Sequence, residues 1–342
     1  MIRRIKHAST ATCTLPIYMG FLMTEPNSIS CTQLAETYNI SHDSVNRFLE
    51  REDYTPHDLY QEAIQHIDNN KLIVSIDDTV LDKPYSQHMD LVSYFWSGKH
   101  HRSVKGINLI TLYATDQNGQ NIPINFRIYD KSEGKTKNDY FMDMLSEVLS
   151  WGAKIQFITG DSWYSSTGNL KTIRKHGIRF MFGIDCNRKV SPEKGQWFQL
   201  RLLPNFHQGQ VVWLKDFGFV QLFKTQLKEQ QRFYIVYQDE DDLLSFEGFH
   251  ELHSSHWKIE QYHRVIKQVC HIEKFQVRRS KLILNHIFSA LMAYVEIQKN
   301  QFERIFENVY RWQKKLFRPI IKDFIDDFIL DKNHLLPQRV YK

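Results

Sequence analysis

The chain has 342 residues, of which 42% are hydrophobic and 24% charged, and its formal net charge is +5. This length allows a catalytic domain with a large buried core and one or two smaller appendages. The composition is that of a globular protein, and no apolar run is long enough to predict a membrane span. The four cysteines form no C-x-x-C pair, which argues against a zinc knuckle and predicts reduced thiols.

Basic residues are concentrated towards the C-terminus. From His253 to Lys342 there are 17 Lys and Arg against 9 Asp and Glu, a balance of +8. Residues 1–252 therefore carry 27 against 30, a balance of −3. Such a basic region either binds a polyanion such as DNA or forms a solvated helical surface, and charge alone favours neither.

Residues 30–50 predict two short helices joined by a tight turn, a helix-turn-helix. The inner faces of the two helices are apolar: Leu34, Ala35, Tyr38, Val45, Phe48 and Leu49. Asn39 suits a left-handed turn residue, and Ser41 can cap the second helix. That helix would present Asn46 and Arg47, with Ser44 and their other polar neighbours, to phosphates and base edges. The alternative is a helix pair that serves only in packing.

The following segment predicts the order β-β-β-α-β-α-β. Strands are predicted over residues 71–76, 107–115, 122–129, 154–159 and 179–184, and helices over residues 137–151 and 169–176. Asp77 and Asp78 follow the first strand, and Asp161 follows the fourth. Three antiparallel strands followed by alternating helices and strands are the layout of the ribonuclease-H-like α/β fold, a mixed sheet flanked by helices.

The rest of the chain predicts a β-rich insertion and then helices. Aromatic residues in short alternating runs predict strands between 187 and 250, and helices are predicted over 255–269, 282–299 and 302–316, with an interruption at Pro319. The predicted organisation is an N-terminal helical DNA-binding domain (1–68), a core in two parts (69–186 and 251–318), the insertion (187–250) and a C-terminal tail (319–342).

Three carboxylates of this arrangement can meet at one point. Mg²⁺ prefers oxygen ligands, and two such ions roughly 3.5–4 Å apart can assist both the attacking and the leaving oxygen in phosphoryl transfer. Asp78 and Asp161 follow strands that this fold makes neighbours. Glu260 lies on a predicted helix with Arg264 and Lys267 on the same face. Alone, Glu260 would indicate an ion-paired solvated helix, but the two aspartates favour a metal site.

The same segments resemble the DDE transposases of bacterial cut-and-paste insertion sequences, over roughly residues 70–300. The resemblance is carried by Ile76-Asp77-Asp78-Thr79, Thr159-Gly160-Asp161-Ser162 and Trp257-Lys258-Ile259-Glu260. One branch of that family has a β insertion and a Tyr-Arg-Glu-Lys signature, and Glu260 and Lys267 match its Glu-to-Lys spacing. The signature's Tyr and Arg fall at His253 and His256, a departure, because histidine lacks the guanidinium fork that suits a phosphate.

The first aspartate is ambiguous. Asp77 and Asp78 are adjacent, and adjacent side chains of a strand face opposite ways, so only one should reach the metal ions. The resemblance favours Asp78, the residue before Thr79.

The resemblance implies a transposase in the bacterial cytoplasm, associated with the nucleoid, that acts on double-stranded DNA. Its cofactor would be two Mg²⁺ ions per site, for which Mn²⁺ substitutes, and it would form a homodimer on DNA. The substrate would be the terminal inverted repeats of the element, with target DNA as the second partner. A base flipped from a DNA hairpin would stack on Trp197 or Trp213, although such tryptophans are more often core residues. Phosphate contacts are expected from His253, His256, Arg264, Lys267, Arg278, Arg279 and Lys281.

Two other functions share these residues. A ribonuclease-H-like nuclease would cleave without joining, and it would not need the helix-turn-helix. A non-catalytic DNA-binding protein derived from a transposase would not need all three acidic residues. A purely structural protein would leave the three placed carboxylates unexplained.

Overall fold

The computed structural model describes residues 12–25, 29–98, 100–193, 195–227, 230–238 and 242–333. Its α-helices are α1 (Leu15–Thr24), α2 (Cys31–Tyr38), α3 (His42–Arg51), α4 (Pro56–Ala63), α5 (Lys137–Ser150), α6 (Thr167–Lys175), α7 (Phe246–Gln268), α8 (Ser280–Phe302) and α9 (Val309–Asn333). Its strands are β1 (Leu72–Asp82), β2 (Ser93–Ser97), β3 (Arg102–Thr115), β4 (Asn121–Ile128), β5 (Ile155–Gly160), β6 (Arg179–Ile184), β7 (Lys189–Ser191), β8 (Phe198–Gln199), β9 (Gln210–Leu214), β10 (Gly218–Leu227) and β11 (Gln230–Tyr237).

The predicted helix-turn-helix is formed by α2 and α3. Asn39 joins them in the left-handed conformation, with φ 52° and ψ 48°, and Ser30 caps α2 by accepting from Gln33 N. Two side chains differ from the prediction. Tyr38 is 56% exposed, since α2 ends there and its last turn projects beyond the core. Ser44 is buried because its Oγ accepts hydrogen bonds from the backbone of Thr12 and Cys13 at 2.6 and 2.9 Å.

The central sheet has the ribonuclease-H-like strand order β4-β3-β1-β5-β6. β1 is antiparallel to β3 and parallel to β5, and β5 is parallel to β6. The fold class predicted from the sequence is thus confirmed. One detail was wrong: β1 does not end before Asp77 but continues to Asp82, because Val80 and Leu81 are buried and still pair with β3. The adjacent aspartates are therefore in the middle of the strand.

The β-rich insertion extends this sheet. β11 pairs antiparallel with β6, and β10, β9, β7 and β8 follow outwards. The short strand β2, absent from the predicted order, pairs with the first residues of β3, beside β4 on the same edge. The core and the insertion therefore share one sheet.

The C-terminal helices cover the sheet and hold the N-terminal helices. α7 packs on β1, and the largely buried α8 contacts α1, α3, α4, α7 and β4. α7 begins earlier than predicted, since Ser245 caps it by accepting from Gly248 N. α9 contains Pro319, so the predicted interruption was wrong; the chain turns instead near Arg304, whose φ is 57°. No helix among the described residues is long and apolar enough to cross a membrane. Residues 334–342 lie outside the described residues.

Candidate active site

The two adjacent aspartates of β1 face opposite sides of the sheet. Asp78 faces the N-terminus of α5 and is held by three donors: its Oδ2 accepts from Asn108 Nδ2 (2.6 Å) and Lys137 Nζ (2.7 Å), and its Oδ1 accepts from the Tyr164 hydroxyl (2.9 Å). Asp77 lies on the side covered by α7. The carboxylate of Asp78 is thus fully oriented by neighbours that only the fold brings together.

Asp161 follows β5 directly and begins a single 3-10 turn, Ser162–Tyr164. Its Oδ1 accepts from the backbone N–H of Trp163 at 3.0 Å. Gly160 lets β5 approach its neighbours, because a Cβ there would lie 2.6 Å from Phe182 Cε1 and 2.7 Å from Ile76 Cγ2. Burial, and next the Asp78 carboxylate, raise the pKa of Asp161 to about 6, while Lys137 opposes the shift. Asp161 and Asp78 therefore face a common space that also holds the Lys137 ammonium.

Glu260, on α7, lies close to Asp77. One ligand atom each of Asp77, Glu260 and His263 lie within 4.8 Å of one another, and His263 Nδ1 is 3.6 Å from Asp77 Oδ2. Among the described residues these form the one group of three acidic, histidine or cysteine side chains this close.

Four carboxylates nevertheless share one neighbourhood. Burial raises the pKa of Asp77 well above its usual value, and the carboxylates of Asp78, Asp161 and Glu260 raise it further. Like charges held this close together are unfavourable unless a cation compensates them. The four residues come from β1, the end of β5 and α7.

The donor set fits a divalent cation. Carboxylate oxygens are the ligands that Mg²⁺ and Mn²⁺ prefer, and a neutral imidazole is also a good ligand for several transition metals. Burial lowers the pKa of His263 to about 3, so its ring is neutral, and its Nε2 has no hydrogen-bond partner in the described part of the chain. The residues that could hold metal ions are therefore Asp77, Asp78, Asp161, Glu260 and His263.

The two cations predicted on the Glu260 face have different surroundings. Lys267 Nζ donates to the backbone oxygen of Val80 at 2.7 Å and lies 3.9 Å from Glu273, so it ties α7 to β1 just beyond Asp78. Arg264 is exposed. Arg264 is thus open to a DNA phosphate, whereas Lys267 would have to exchange its contacts for one.

Both histidines at the signature positions have intramolecular partners. His253 Nε2 lies 3.0 Å from the Tyr234 hydroxyl, and His256 Nδ1 lies 3.1 Å from Thr159 Oγ1. Burial lowers the pKa of both rings, that of His256 to about 4, so they are neutral near pH 7. Their predicted contact with DNA stays a prediction, and the geometry gives them a role in joining α7 to β5 and β11.

Several predicted DNA contacts lie along one groove. Asn46 of α3 and Arg278 line a cavity of about 340 Å³, and Arg278 also lines an adjoining cavity of about 480 Å³ that reaches Asp82. Arg279 is exposed and forms a 2.7 Å ion pair with Glu50 of α3. Of the remaining candidates, Arg47 and Lys281 are exposed.

Trp213 lies on the exposed face of the insertion. Its indole is 42% exposed and packs edge-to-face on Phe219, with ring centroids 4.8 Å apart. It lines a cavity of about 590 Å³ that also contains Arg174. Trp197 is exposed to a similar degree. Both tryptophans are therefore surface residues. The alternative interpretation required them to lie in the core.

Sequence reasoning missed several residues of the site: Asn108, Lys137, Trp163, Tyr164 and His263. His263 had a usable signal, since a residue three positions after Glu260 shares its helix face. The sequence signal for Lys137 was weaker. Lys137 is the first residue of a predicted helix, a position where the helix dipole disfavours a cation.

Comparison with known proteins assigns the family. A family model described as a transposase DDE domain matches residues 68–295, well over half of the chain. The chain belongs to the transposase DDE-domain family. This agrees with the resemblance to DDE transposases of insertion sequences, a class of proteins that act on DNA and use divalent metal ions.

Two other comparisons add little to this assignment. No curated protein matches the chain. Among solved structures, the chain is similar to Marinitoga piezophila Argonaute in complex with guide RNA and target DNA, at 10% identity and a TM-score of 0.23. That match covers 68% of this chain and 33% of the Argonaute chain, so this chain spans about a third of its length.

Proposed function

We propose that this DDE-domain protein is a DNA transposase that binds the terminal inverted repeats of an insertion sequence and catalyses strand cleavage and strand transfer. The observation that carries the proposal is the convergence of four carboxylates from β1, β5 and α7 in a chain of this family. Structural ion pairs do not explain the group, because among the described residues only one ammonium, that of Lys137, is bonded to any of the four.

The metal ligands we propose are Asp78, Asp161 and Glu260. Two Mg²⁺ ions, or Mn²⁺ in their place, would supply activation of the attacking oxygen and stabilisation of the leaving oxygen. Asp78 is proposed over Asp77 because it shares its space with Asp161 and is oriented by three donors. Asp77 is the alternative, because it forms a close group with Glu260 and His263.

The neighbouring side chains would hold these ligands in place. Tyr164 and Asn108 fix both oxygens of Asp78, and Lys137 balances part of the charge when no metal ion is bound. His263 lies against Asp77 and Glu260. A phosphoryl-transfer site requires that its metal ligands are held in a fixed orientation by neighbours of this kind.

Double-stranded DNA would follow the groove from α3 to the end of β1. Asn46 and Arg278 line it, and Arg47, Arg279 and Lys281 flank it. Concerted cutting of two element ends needs two protomers, so we propose a homodimer on DNA in the bacterial cytoplasm. If excision passes through a hairpin, the exposed Trp213 is the proposed acceptor of the flipped base.

A cleavage and strand-transfer assay tests the proposal. The substrate is a duplex of the element's own end, with Mg²⁺ or Mn²⁺, and Glu260→Gln is compared with the wild-type protein. Metal-dependent cutting and joining that disappear in the variant are expected. Cutting without joining would indicate a nuclease, and tight end binding without cleavage would indicate a DNA-binding derivative.

The same assay separates the two aspartates. Asp78→Asn should abolish cleavage, while Asp77→Asn should keep measurable cleavage, since its carboxylate is proposed to lie outside the metal ligands. The reverse result would assign the first ligand to Asp77. Mn²⁺ binding measured by calorimetry on both variants checks that the loss of activity is a loss of metal.

A further inference from the structure

An exposed indole lies beside the proposed metal ligands. Trp163 is 62% exposed, yet its own backbone N–H donates to Asp161 and the next residue, Tyr164, is buried with its hydroxyl on Asp78. The turn thus directs one carboxylate and one phenol into the site and one indole into solvent. An exposed indole at this position presents a flat apolar face on which a base can stack.

The turn that carries Trp163 is rigid. Ser165 Oγ donates to the backbone oxygen of Ser162 at 2.8 Å, and the buried side chain of Asn169 donates to the backbone oxygen of Tyr164 at 3.0 Å. The backbone that carries the indole is therefore tied in place beside Asp161 before any ligand arrives. An aromatic side chain has only two side-chain torsions to fix, so it loses little conformational entropy when a flat ligand stacks on it.

A cation lies next to the indole. Lys137 Nζ is 5.5 Å from the centroid of the Trp163 ring and 2.7 Å from Asp78 Oδ2. Lys137 is the first residue of α5, where the helix dipole disfavours positive charge, and the Asp78 carboxylate compensates its charge. An aromatic face with an ammonium at its edge complements one nucleotide, the base on the ring and the phosphate on the cation.

We propose that Trp163 is a stacking platform for the nucleotide next to the scissile phosphate, with Lys137 contacting the phosphodiester beside it. The proposal rests on the proposed transposase function and adds a nucleotide-binding subsite to it. This platform is separate from Trp213, which lies on the insertion and pairs with Phe219. Stacking is largely indifferent to base identity, so the subsite positions the strand and does not read its sequence.

Substitution of the indole tests the platform. Trp163→Ala should lower kcat/KM for cleavage of the element end roughly 10- to 100-fold, the range expected when one stacked base is lost. Trp163→Phe should recover most of that loss, because a phenyl ring also stacks. Trp96→Ala is the matched control: that indole is 67% exposed on β2, so its removal changes the exposed surface to a similar extent. Mn²⁺ affinity should be the same in all four proteins, which separates stacking from damage to Asp161.

Crosslinking supplies a second measurement. Duplexes with 5-iododeoxyuridine at successive positions around the cleavage junction are irradiated in complex with the full-length protein and Ca²⁺. A crosslink to Trp163 only from the position next to the scissile phosphate supports the proposal. The proposal is overturned if Trp163→Ala cleaves the end as well as the wild-type protein does. It is also overturned if the crosslinks map only to other residues. A wild-type protein that neither binds nor cleaves the end would instead defeat the proposed function.

Discussion

At the residue scale, the hydrogen bond from Tyr164 to Asp78 gives a direct prediction. Tyr164→Phe keeps the buried ring and removes the donor to Asp78 Oδ1, which accepts at 2.9 Å. A hydrogen bond to a charged group contributes about 1.5–3 kcal/mol, so we expect cleavage to slow by roughly 10- to 100-fold. Single-turnover kinetics with saturating Mg²⁺ measures this. Tyr140→Phe, which removes a hydroxyl from Glu133, is the control and should cleave normally. Equal rates in both variants would mean that Tyr164 does not orient a metal ligand.

The raised pKa of Asp161 predicts how stability depends on pH. Its folded-state pKa is about 6, above the ordinary value of 3.8, because of burial and the Asp78 carboxylate. The folded protein therefore binds the proton more tightly than the unfolded chain, and stability falls as pH rises between about 4 and 6.

Asp161→Asn isolates this effect. In EDTA at pH 7, we expect the variant to be more stable to urea than the wild-type protein and to be inactive in cleavage. The stability of the variant should still depend partly on pH, because the pKa of Asp77 is also raised. Urea unfolding of both proteins from pH 4 to 7, with and without Mn²⁺, measures the difference in stability and its pH dependence. Mn²⁺ should remove the stability deficit of the wild-type protein. A wild-type protein whose stability rises over this range would contradict the assigned charge repulsion.

Sequence reasoning at this scale named the candidate ligands but not their neighbours. Asp161 and Glu260 were predicted because each stands in a recognisable pattern, a strand followed by an acid and an amphipathic helix. Lys137 and Tyr164 were not, since contacts with Asp78 across 59 and 86 residues depend on how the strands pack. The choice between Asp77 and Asp78 stays a prediction, because a strand fixes only that the two face opposite ways.

At the element scale, Gly160 sets the spacing of β5 from its neighbours. A Cβ at this position would meet Phe182 and Ile76 at 2.6 and 2.7 Å, closer than real contacts allow. Gly160→Ala should therefore destabilise the fold by about 1–3 kcal/mol and displace Asp161. Gly168→Ala is the matched control, because a Cβ there has no neighbour within 4 Å and α6 gains helix propensity. Thermal unfolding and cleavage of both variants check this, and similar effects of the two substitutions would refute the close approach.

The elements themselves were largely predictable, and their ends were less so. Strong periodicity identified β5, β6, α5 and α8 to within a few residues. β1 ran past its predicted end because the ladder with β3 continues through polar Asp77 and Asp78, which break the apolar run that marks a strand in sequence. α9 continued through Pro319, since an exposed helix can lose one backbone hydrogen bond without ending.

At the scale of the whole molecule, α8 connects the helix-turn-helix to the central sheet. Its buried Asn285 donates to the backbone oxygens of Leu49 and Glu52, both at 2.7 Å, and accepts from Tyr54 N at 3.3 Å. One amide thus satisfies the C-terminal end of α3, where backbone groups otherwise lack partners. The orientation of α3 relative to the sheet depends on this contact, and a sequence cannot reveal it because the partners are more than 230 residues apart.

Asn285→Ala should therefore loosen the helix-turn-helix without altering the carboxylates. Each unsatisfied buried group costs about 1–3 kcal/mol, so we expect lower stability and faster hydrogen exchange in α3. Binding of the element's end should weaken, while Mn²⁺ affinity should not change. Ser289→Ala is the control, because that buried hydroxyl only donates back to Asn285 O within α8. If both variants exchange α3 amides and bind the end like the wild-type protein, Asn285 does not couple end recognition to the catalytic sheet, and the groove from α3 to β1 must be held by other contacts.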